Sequence, residues 1–251
     1  MTFEEALAKY ITQKEAVLSP STIRGYKSLE RNFKKKFFKF YKMKVCDITQ
    51  DDIQDLISEL SLKSSPKTVR NYHGIISSIV GKEMVLKTTM PQKIMPEYHI
   101  PTDEEIKKLI KAIEGTEMEI PVLLGAFCMM RRGEICGLSM EDVDYSKVWH
   151  IKAPKNTNSD RYIDVPDFIL NKIKEKGCIT TLKPDNITLY LGRILKKNEI
   201  PHFRFHDLRH YSASIRHALN IPDAYIMAEG GWKSDTILKS VYRHAMKDKQ
   251  S

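Results

Sequence analysis

The sequence predicts a mainly α protein with one small β-hairpin, an α+β chain folded as two domains. Three observations predict it. Apolar residues recur at helical spacing behind Ser or Thr caps through most of the chain. One region alternates instead: Val148–Lys152 and Arg161–Val165 flank a polar, turn-rich stretch at 153–160, the pattern of a hairpin. Pro91, Pro96 and Pro101 punctuate an aperiodic segment from Met90 to Thr102, which splits the helices into two sets. The expected domains are residues 1–96 and 102–251, with a linker at 97–101.

The elements follow in order. Thr2 and Glu5 make a capping box, after which Phe3, Leu7, Tyr10 and Ile11 share one face. Ser21-Thr22 precedes a longer helix carrying Ile23, Tyr26, Leu29 and Phe33. It runs into Lys34–Lys42, where basic and aromatic residues interleave; the segment is either a helix end with solvated lysines over buried rings or a phosphate-gripping patch. Thr49 caps a helix with Ile53, Leu56, Ile57 and Leu60, and Ser65-Pro66 opens another with Val69, Tyr72, Ile75, Ile76 and Ile79. Four amphipathic helices make a compact bundle, on which Lys63, Lys67, Thr68 and Arg70 read either as phosphate-facing residues or as ordinary surface charge. Beyond the linker, Thr102 with Glu105 starts a helix through Ile106, Leu109, Ile110 and Ile113. Ile120–Met130 is nearly all apolar, hence a buried helix, and stops at Arg131-Arg132-Gly133-Glu134. Helical periodicity resumes at Pro166, broken at Gly177, Pro184, Pro201, Pro222 and Gly230-Gly231.

The chain's 251 residues suffice to bury a core in each domain. Its apolar fraction of 41% and charged fraction of 29% fit a soluble protein, and no apolar run approaches the roughly 20 residues of a membrane span. The start, Met1-Thr2-Phe3-Glu4-Glu5, is an acidic helix opening rather than a signal peptide. An excess of 41 Lys+Arg over 32 Asp+Glu, formally +9, favours a polyanionic partner. Cys46, Cys128, Cys136 and Cys178 show no paired metal spacing; they are expected to be buried, reduced thiols of a cytosolic chain.

His206-Asp207-Leu208-Arg209-His210 holds the densest chemistry. On a helix, His206, Arg209 and His210 project to one side. A guanidinium fork and two imidazoles there would grip an oxyanion, which makes phosphoryl chemistry the first hypothesis. Arg131 at the end of the apolar helix, Lys155 at the hairpin tip, Gly230-Gly231-Trp232 and Tyr242 are its companions. Each has a plainer reading: Arg131 as a C-terminal helix cap, Lys155 as a solvated loop lysine, Tyr242 as a packed ring. A metal site is the rival, because His202, His206 and His210 repeat every four residues. Against it, Pro201 and Phe203 place His202 before the helix, and Arg209 would crowd a cation.

In order and spacing these segments resemble the tyrosine recombinases, the phage- and transposon-integrase family of DNA strand-exchange enzymes. The matching residues are Met130–Leu138, Pro154–Thr157 through Arg161, His206–His210, Gly231-Trp232, and Tyr242-Arg243-His244. The resemblance implies a helical SAM-like core-binding domain and a recombinase catalytic domain closing as a C-shaped clamp on DNA. It also implies that Tyr242 attacks a DNA phosphate, that Arg131 and Arg209 hold its oxygens, and that His206 assists the proton. Lys155 would protonate the leaving oxygen and Trp232 would position the phosphate, with His210 and Glu134 in support. Neither metal nor ATP is implied, and no other cofactor. The implied partners are double-stranded core sites, a homotetramer on paired sites, and a directionality factor or host DNA-bending protein; the setting is a prokaryotic or phage-encoded cytoplasmic enzyme.

Some features depart from the pattern. Met1 opens directly on the core-binding bundle, where many relatives carry an arm-reading domain first, so the expectation is an enzyme of simple core sites or a truncated chain. Only residues 243–251 follow Tyr242, a short tail for engaging a neighbouring subunit, and Tyr211 stands where relatives often have Thr. The alternative function is a catalytically silent DNA-binding relative.

Overall fold

In the computed structural model of the chain, the described residues are 1–81, 84–94, 99–152, 160–232, 234–235 and 238–239. The chain divides into two compact units, Met1–Pro96 and Glu97–Ser251.

The first unit is built from helices. α1 (Phe3–Glu15) starts at Thr2, whose hydroxyl accepts the Glu5 N–H while the Glu5 carboxylate accepts the Thr2 N–H at 2.8 Å. α2 (Pro20–Lys36) is capped by Ser19 rather than by the expected Ser21-Thr22. Proline lacks an N–H and has a preset φ, so Pro20 suits the first helical position and the helix begins earlier. α3 (Phe38–Lys42) follows a break at Phe37. α4 (Gln50–Lys63) has the Thr49–Asp52 capping box, and α5 (Pro66–Val80) lies behind Ser65. The core is aromatic at its centre: Phe3 meets Phe33 and Phe40 at 5.1 Å between ring centroids, and Phe33 meets Tyr72 at 5.0 Å. Lys34, Lys35, Lys36, Lys39 and Lys42 are exposed while Phe33, Phe40 and Tyr41 are buried. That stretch ends α2 and forms α3, with Lys42 paired to Glu4 and its other lysines exposed over the buried rings. The start of the aperiodic segment is tied to the same unit, since Gln54 Oε1 accepts the Thr89 N–H at 2.8 Å and Arg70 Nη2 donates to Pro91 O at 2.7 Å.

In the second unit, α6 (Asp103–Ile113) begins with the Thr102–Glu105 box. α7 (Glu119–Phe127) is buried along its whole length except at Phe127, and stops three residues short of the expected Met130. Met129 turns left-handed at φ 53°, and the Met130 N–H folds back to Leu124 O at 3.3 Å. α8 (Arg132–Ile135) follows. The hairpin strands β1 (Val148–Ile151) and β2 (Arg161–Asp164) pair antiparallel, Trp149 opposite Ile163 and Ile151 opposite Arg161, and these four residues form its buried face. α9 (Asp167–Lys176), α10 (Pro184–Lys197), α11 (Asp207–Ala218) and α12 (Asp223–Gly230) complete the unit. The apolar core surrounds α7, and a small separate cluster of Met129, Ala213, Ile226, Trp232 and Leu238 sits beside α11 and α12.

The expectation of four buried thiols is corrected. Cys128 alone is buried; Cys136 and Cys178 are half-buried, and Cys46 is exposed. Among the described residues, no helix is long and apolar enough to cross a membrane.

Candidate active site

Three arginines from distant parts of the chain converge on one short piece of backbone. α12 ends at Gly231, left-handed at φ 60° and ψ 45°, and the last carbonyls of a helix have no partner within it. Here three successive carbonyls each take a different arginine. Glu229 O accepts from Arg161 Nε at 2.6 Å, Gly230 O from Arg209 Nη2 at 2.5 Å, and Gly231 O from Arg131 Nη2 at 3.2 Å. The negative end of the helix dipole favours cations at this spot.

Gly230 is required by packing. A Cβ there would lie 2.9 Å from Trp232 Cε3 and 3.0 Å from Met129 Cε. Gly230→Ala is therefore expected to destabilise the protein by about 1–3 kcal/mol, as overpacking does. Urea denaturation and a changed tryptophan fluorescence spectrum would register it.

Arg131 is the N-cap of α8, so its reading as a C-terminal cap of the apolar helix is corrected: the turn at Met129 separates it from α7. Its backbone N–H and its Nη1 both donate to Glu134 at 2.7 Å, one to each carboxylate oxygen. Arg161 grips the same carboxylate with a fork, Nη1 to Oε1 at 3.0 Å and Nη2 to Oε2 at 2.8 Å. Burial alone would raise the Glu134 pKa, but Arg161 first and Arg131 second outweigh it and hold it at about 2. A folded-state pKa below the unfolded value stabilises above the unfolded value and loses that contribution as pH falls toward the folded one. Glu134→Gln is thus expected to lose on the order of 3 kcal/mol at pH 7. In urea unfolding, the gap from wild type should close as pH drops from about 4.5 toward 2.

Arg209, on α11, is completely buried. Its Nη1 donates to Met129 O, the carbonyl that the left-handed turn directs at it, and its Cζ lies 5.5 Å from the Trp232 ring centroid. Its Nε has no hydrogen-bond partner among the described residues. Burial, then the charges of Arg131 and Arg161, lower its pKa to about 9, which leaves it protonated at neutral pH. Three guanidinium charges against the single Glu134 carboxylate leave +2 at this place.

His206 is the residue immediately before α11 rather than within it, and His210 lies one turn on; their rings meet edge to face at 5.3 Å. His210 also lies nearly parallel to Trp232, 16° apart at 6.3 Å, and its buried Nδ1 has no partner among the described residues. Crowding by the surrounding protein, then Arg209 and His210, lower the His206 pKa to about 4. Burial likewise lowers that of His210. Both imidazoles are neutral at pH 7, the form that accepts a proton. Excess positive charge beside a buried Arg209 Nε–H with no acceptor among the described residues is the electrostatic signature of an anion site.

The sequence profile of the phage integrase family matches residues 101–249, more than half of the chain. This chain belongs to the phage integrase family. The profile of the phage integrase N-terminal SAM-like domain matches residues 2–61. A tyrosine recombinase XerC-like protein of Caldanaerobacter subterraneus subsp. tengcongensis is 23% identical, over 90% of this integrase and 75% of its own length. The Tn1549 transposon integrase in complex with transposon right end DNA matches with a TM-score of 0.76 at 14% identity, covering 100% of both chains. A lambda integrase tetramer bound to a Holliday junction matches at 0.78 and 16%, covering 96% of this chain and 77% of that one. At such identities the solved structures show a shared fold.

Of the integrase residues expected from sequence, the structure gathers Arg131, Glu134, His206, Arg209, His210 and Trp232. Lys155 and Tyr242 lie outside the described residues. Lys63 and Lys67 are exposed, Lys63 beside Glu59 at 3.6 Å, while Thr68 packs on the Ser65 cap. Arg70 donates to the carbonyls of Pro66 and Pro91. His202 is exposed and precedes α11, and among the described residues no three His, Cys, Asp or Glu side chains group as metal ligands. Arg161 was not anticipated. Its signal was present: in Arg161-Tyr162-Ile163-Asp164-Val165 it shares the period-2 face of two apolar residues, where an arginine must be paired.

Proposed function

We propose that this integrase is a site-specific DNA recombinase that cleaves and rejoins strands through a 3′-phosphotyrosyl link on Tyr242. The observation that carries the reading is the arginine cluster at the end of α12, a +2 site where the buried Arg209 Nε has no acceptor among the described residues. Family membership supports it, and the profile match spans Tyr242.

In the proposed reaction the Tyr242 oxygen attacks phosphorus, its proton passes to His206, and the bond to the 5′-oxygen breaks. A phenol of pKa about 10 is a poor nucleophile at pH 7, so the step needs a base and strong charge stabilisation. His206 supplies the neutral imidazole; a phosphate bound beside it adds negative charge and strengthens it as a base. Arg131 and Arg209 face the non-bridging oxygens, where charge grows in the transition state. Lys155 returns a proton to the leaving 5′-oxygen, Trp232 positions the phosphate through its indole, and His210 braces His206. Attack of a 5′-hydroxyl on the phosphotyrosine reverses the step. The link conserves the phosphodiester energy, so rejoining needs neither ATP nor a metal.

The first unit would serve as the core-binding domain through Lys63, Lys67, Thr68 and Arg70, and the second as the catalytic domain. The enzyme would act as a homotetramer on two paired core sites, in the cytoplasm, to integrate or excise a mobile element, with a directionality factor or host DNA-bending protein as an accessory. The lambda integrase tetramer on a Holliday junction supports that assembly by analogy of fold.

The test is a nicked duplex covering the DNA that flanks this gene, incubated with protein in EDTA without nucleotide. A labelled adduct that survives SDS and disappears with protease is the expected result. Salt-sensitive binding with no adduct would favour the silent DNA-binding relative.

A further inference from the structure

We propose that Arg161 is a positioning residue for strand cleavage: it fixes the carboxylate that holds Arg131 and locks strand β2 to the end of α12. The proposal rests on the recombinase reading above. Arg161 sits on the apolar face of the hairpin and is only 6% exposed, where an unpaired charge would be prohibitively costly. Its guanidinium is satisfied from three directions at once. Nη1 and Nη2 fork onto Glu134 of α8, Nε takes Glu229 O of α12, and Nη2 lies 3.5 Å from Met129 O, the carbonyl that also holds Arg209. Where Arg209 keeps an Nε without an acceptor among the described residues, Arg161 donates from Nε, Nη1 and Nη2 to protein oxygens and is not placed to hold a DNA phosphate. It acts through its neighbours.

Two consequences follow from the bonds. Glu134 meets Arg131 and Arg161 with the same two oxygens, so without Arg161 the pair of Glu134 and Arg131 loses the anchor that ties its carboxylate to β2, and Arg131 loses its fixed donor direction toward the site. Arg161 is also the first residue of β2 and the sixth after Lys155, so the bond to Glu229 O sets where that strand begins relative to α12. Lysine keeps the charge but lacks the planar fork, and the site uses the fork.

The experiment compares wild type with Arg161→Lys, Arg161→Gln, Glu134→Gln and the Arg161→Gln/Glu134→Gln pair. Single-turnover cleavage of the nicked duplex is measured at saturating protein, alongside DNA affinity by anisotropy and thermal melting. Arg161→Lys is expected to melt cooperatively, bind DNA within about threefold of wild type, and cleave about 10- to 100-fold more slowly. Arg161→Gln should slow cleavage about 1,000-fold, and the pair should be no slower than its slower member, because both changes act through Arg131. A wild-type cleavage rate in Arg161→Gln would overturn the proposal, as would losses that multiply in the pair. Should Arg161→Gln fail to fold, Arg161→Lys decides. If wild type itself forms no adduct, the recombinase reading fails on its own, and NMR of ¹⁵N-labelled arginines still decides this one. Slowly rotating Arg131 Nη signals that vanish in Arg161→Lys support the positioning role; signals that persist unchanged overturn it.

Discussion

Tyr242→Phe is expected to abolish the covalent protein–DNA adduct, by at least about four powers of ten in rate, while DNA affinity stays within about threefold. The substitution removes one oxygen and little else. Affinity for DNA comes mainly from phosphate contacts with cations, which Phe leaves untouched, whereas a phosphotyrosyl link cannot form without the phenol. Tyr211 is the competing candidate, since it adjoins His210. It is a poor nucleophile: burial first, and then the Asp103 carboxylate that it bonds, raise its pKa far above the ordinary value for tyrosine. Tyr211→Phe should therefore leave the adduct intact. The opposite pattern, an adduct lost with Tyr211 and kept without Tyr242, would move the nucleophile and sink the assignment.

Helix starts were the most legible part of this fold, because they depend on local chemistry. Thr2, Thr49 and Thr102 with an acidic residue three positions on, and Ser65 before a proline, each cap the helix their spacing announces. Helix ends were less legible. The apolar run Ile120–Met130 has helical hydrophobicity to its last residue, yet α7 ends at Phe127. The reason lies far away in sequence. Met129 adopts φ 53°, a conformation costing a non-glycine residue roughly 1–2 kcal/mol, and its carbonyl takes hydrogen bonds from Arg209 and Arg161, which are 80 and 32 residues distant. No local pattern encodes a turn that is stabilised by such remote partners.

The site divides in the same way. Residue types and order that suit phosphate chemistry singled out Arg131, His206 and Arg209, and the structure brings them together. What sets them in place was hidden: three consecutive carbonyls at the end of α12, bare backbone that any sequence possesses. Gly230-Gly231 marked the break in the helix but not what the break is for. One glycine admits the Trp232 ring at van der Waals range, and the other turns the chain left-handed so that its carbonyl meets Arg131.

Arg209→Ala should show how far that backbone anchor and the chemistry depend on one side chain. The variant leaves Gly230 O without its charged donor and Met129 O with only the 3.5 Å bond from Arg161 inside a buried site, so a stability loss of about 3–5 kcal/mol is expected by urea unfolding. Cleavage should fall by about three to five powers of ten, because a preorganised charge facing the transition state is worth more than its share of binding. Stability and rate would then drop together, and the two have to be separated. Arg209→Lys separates them: the ammonium keeps the charge and satisfies one of the two carbonyls, so most of the stability returns, while the fork that spans two acceptors and still offers Nε is gone. Single-turnover cleavage by Arg209→Lys is expected to remain about 100- to 1,000-fold below wild type at unchanged DNA affinity. If cleavage instead returned in step with stability, Arg209 would be a strut of the fold whose charge is incidental, and the oxyanion role would pass to Arg131 alone.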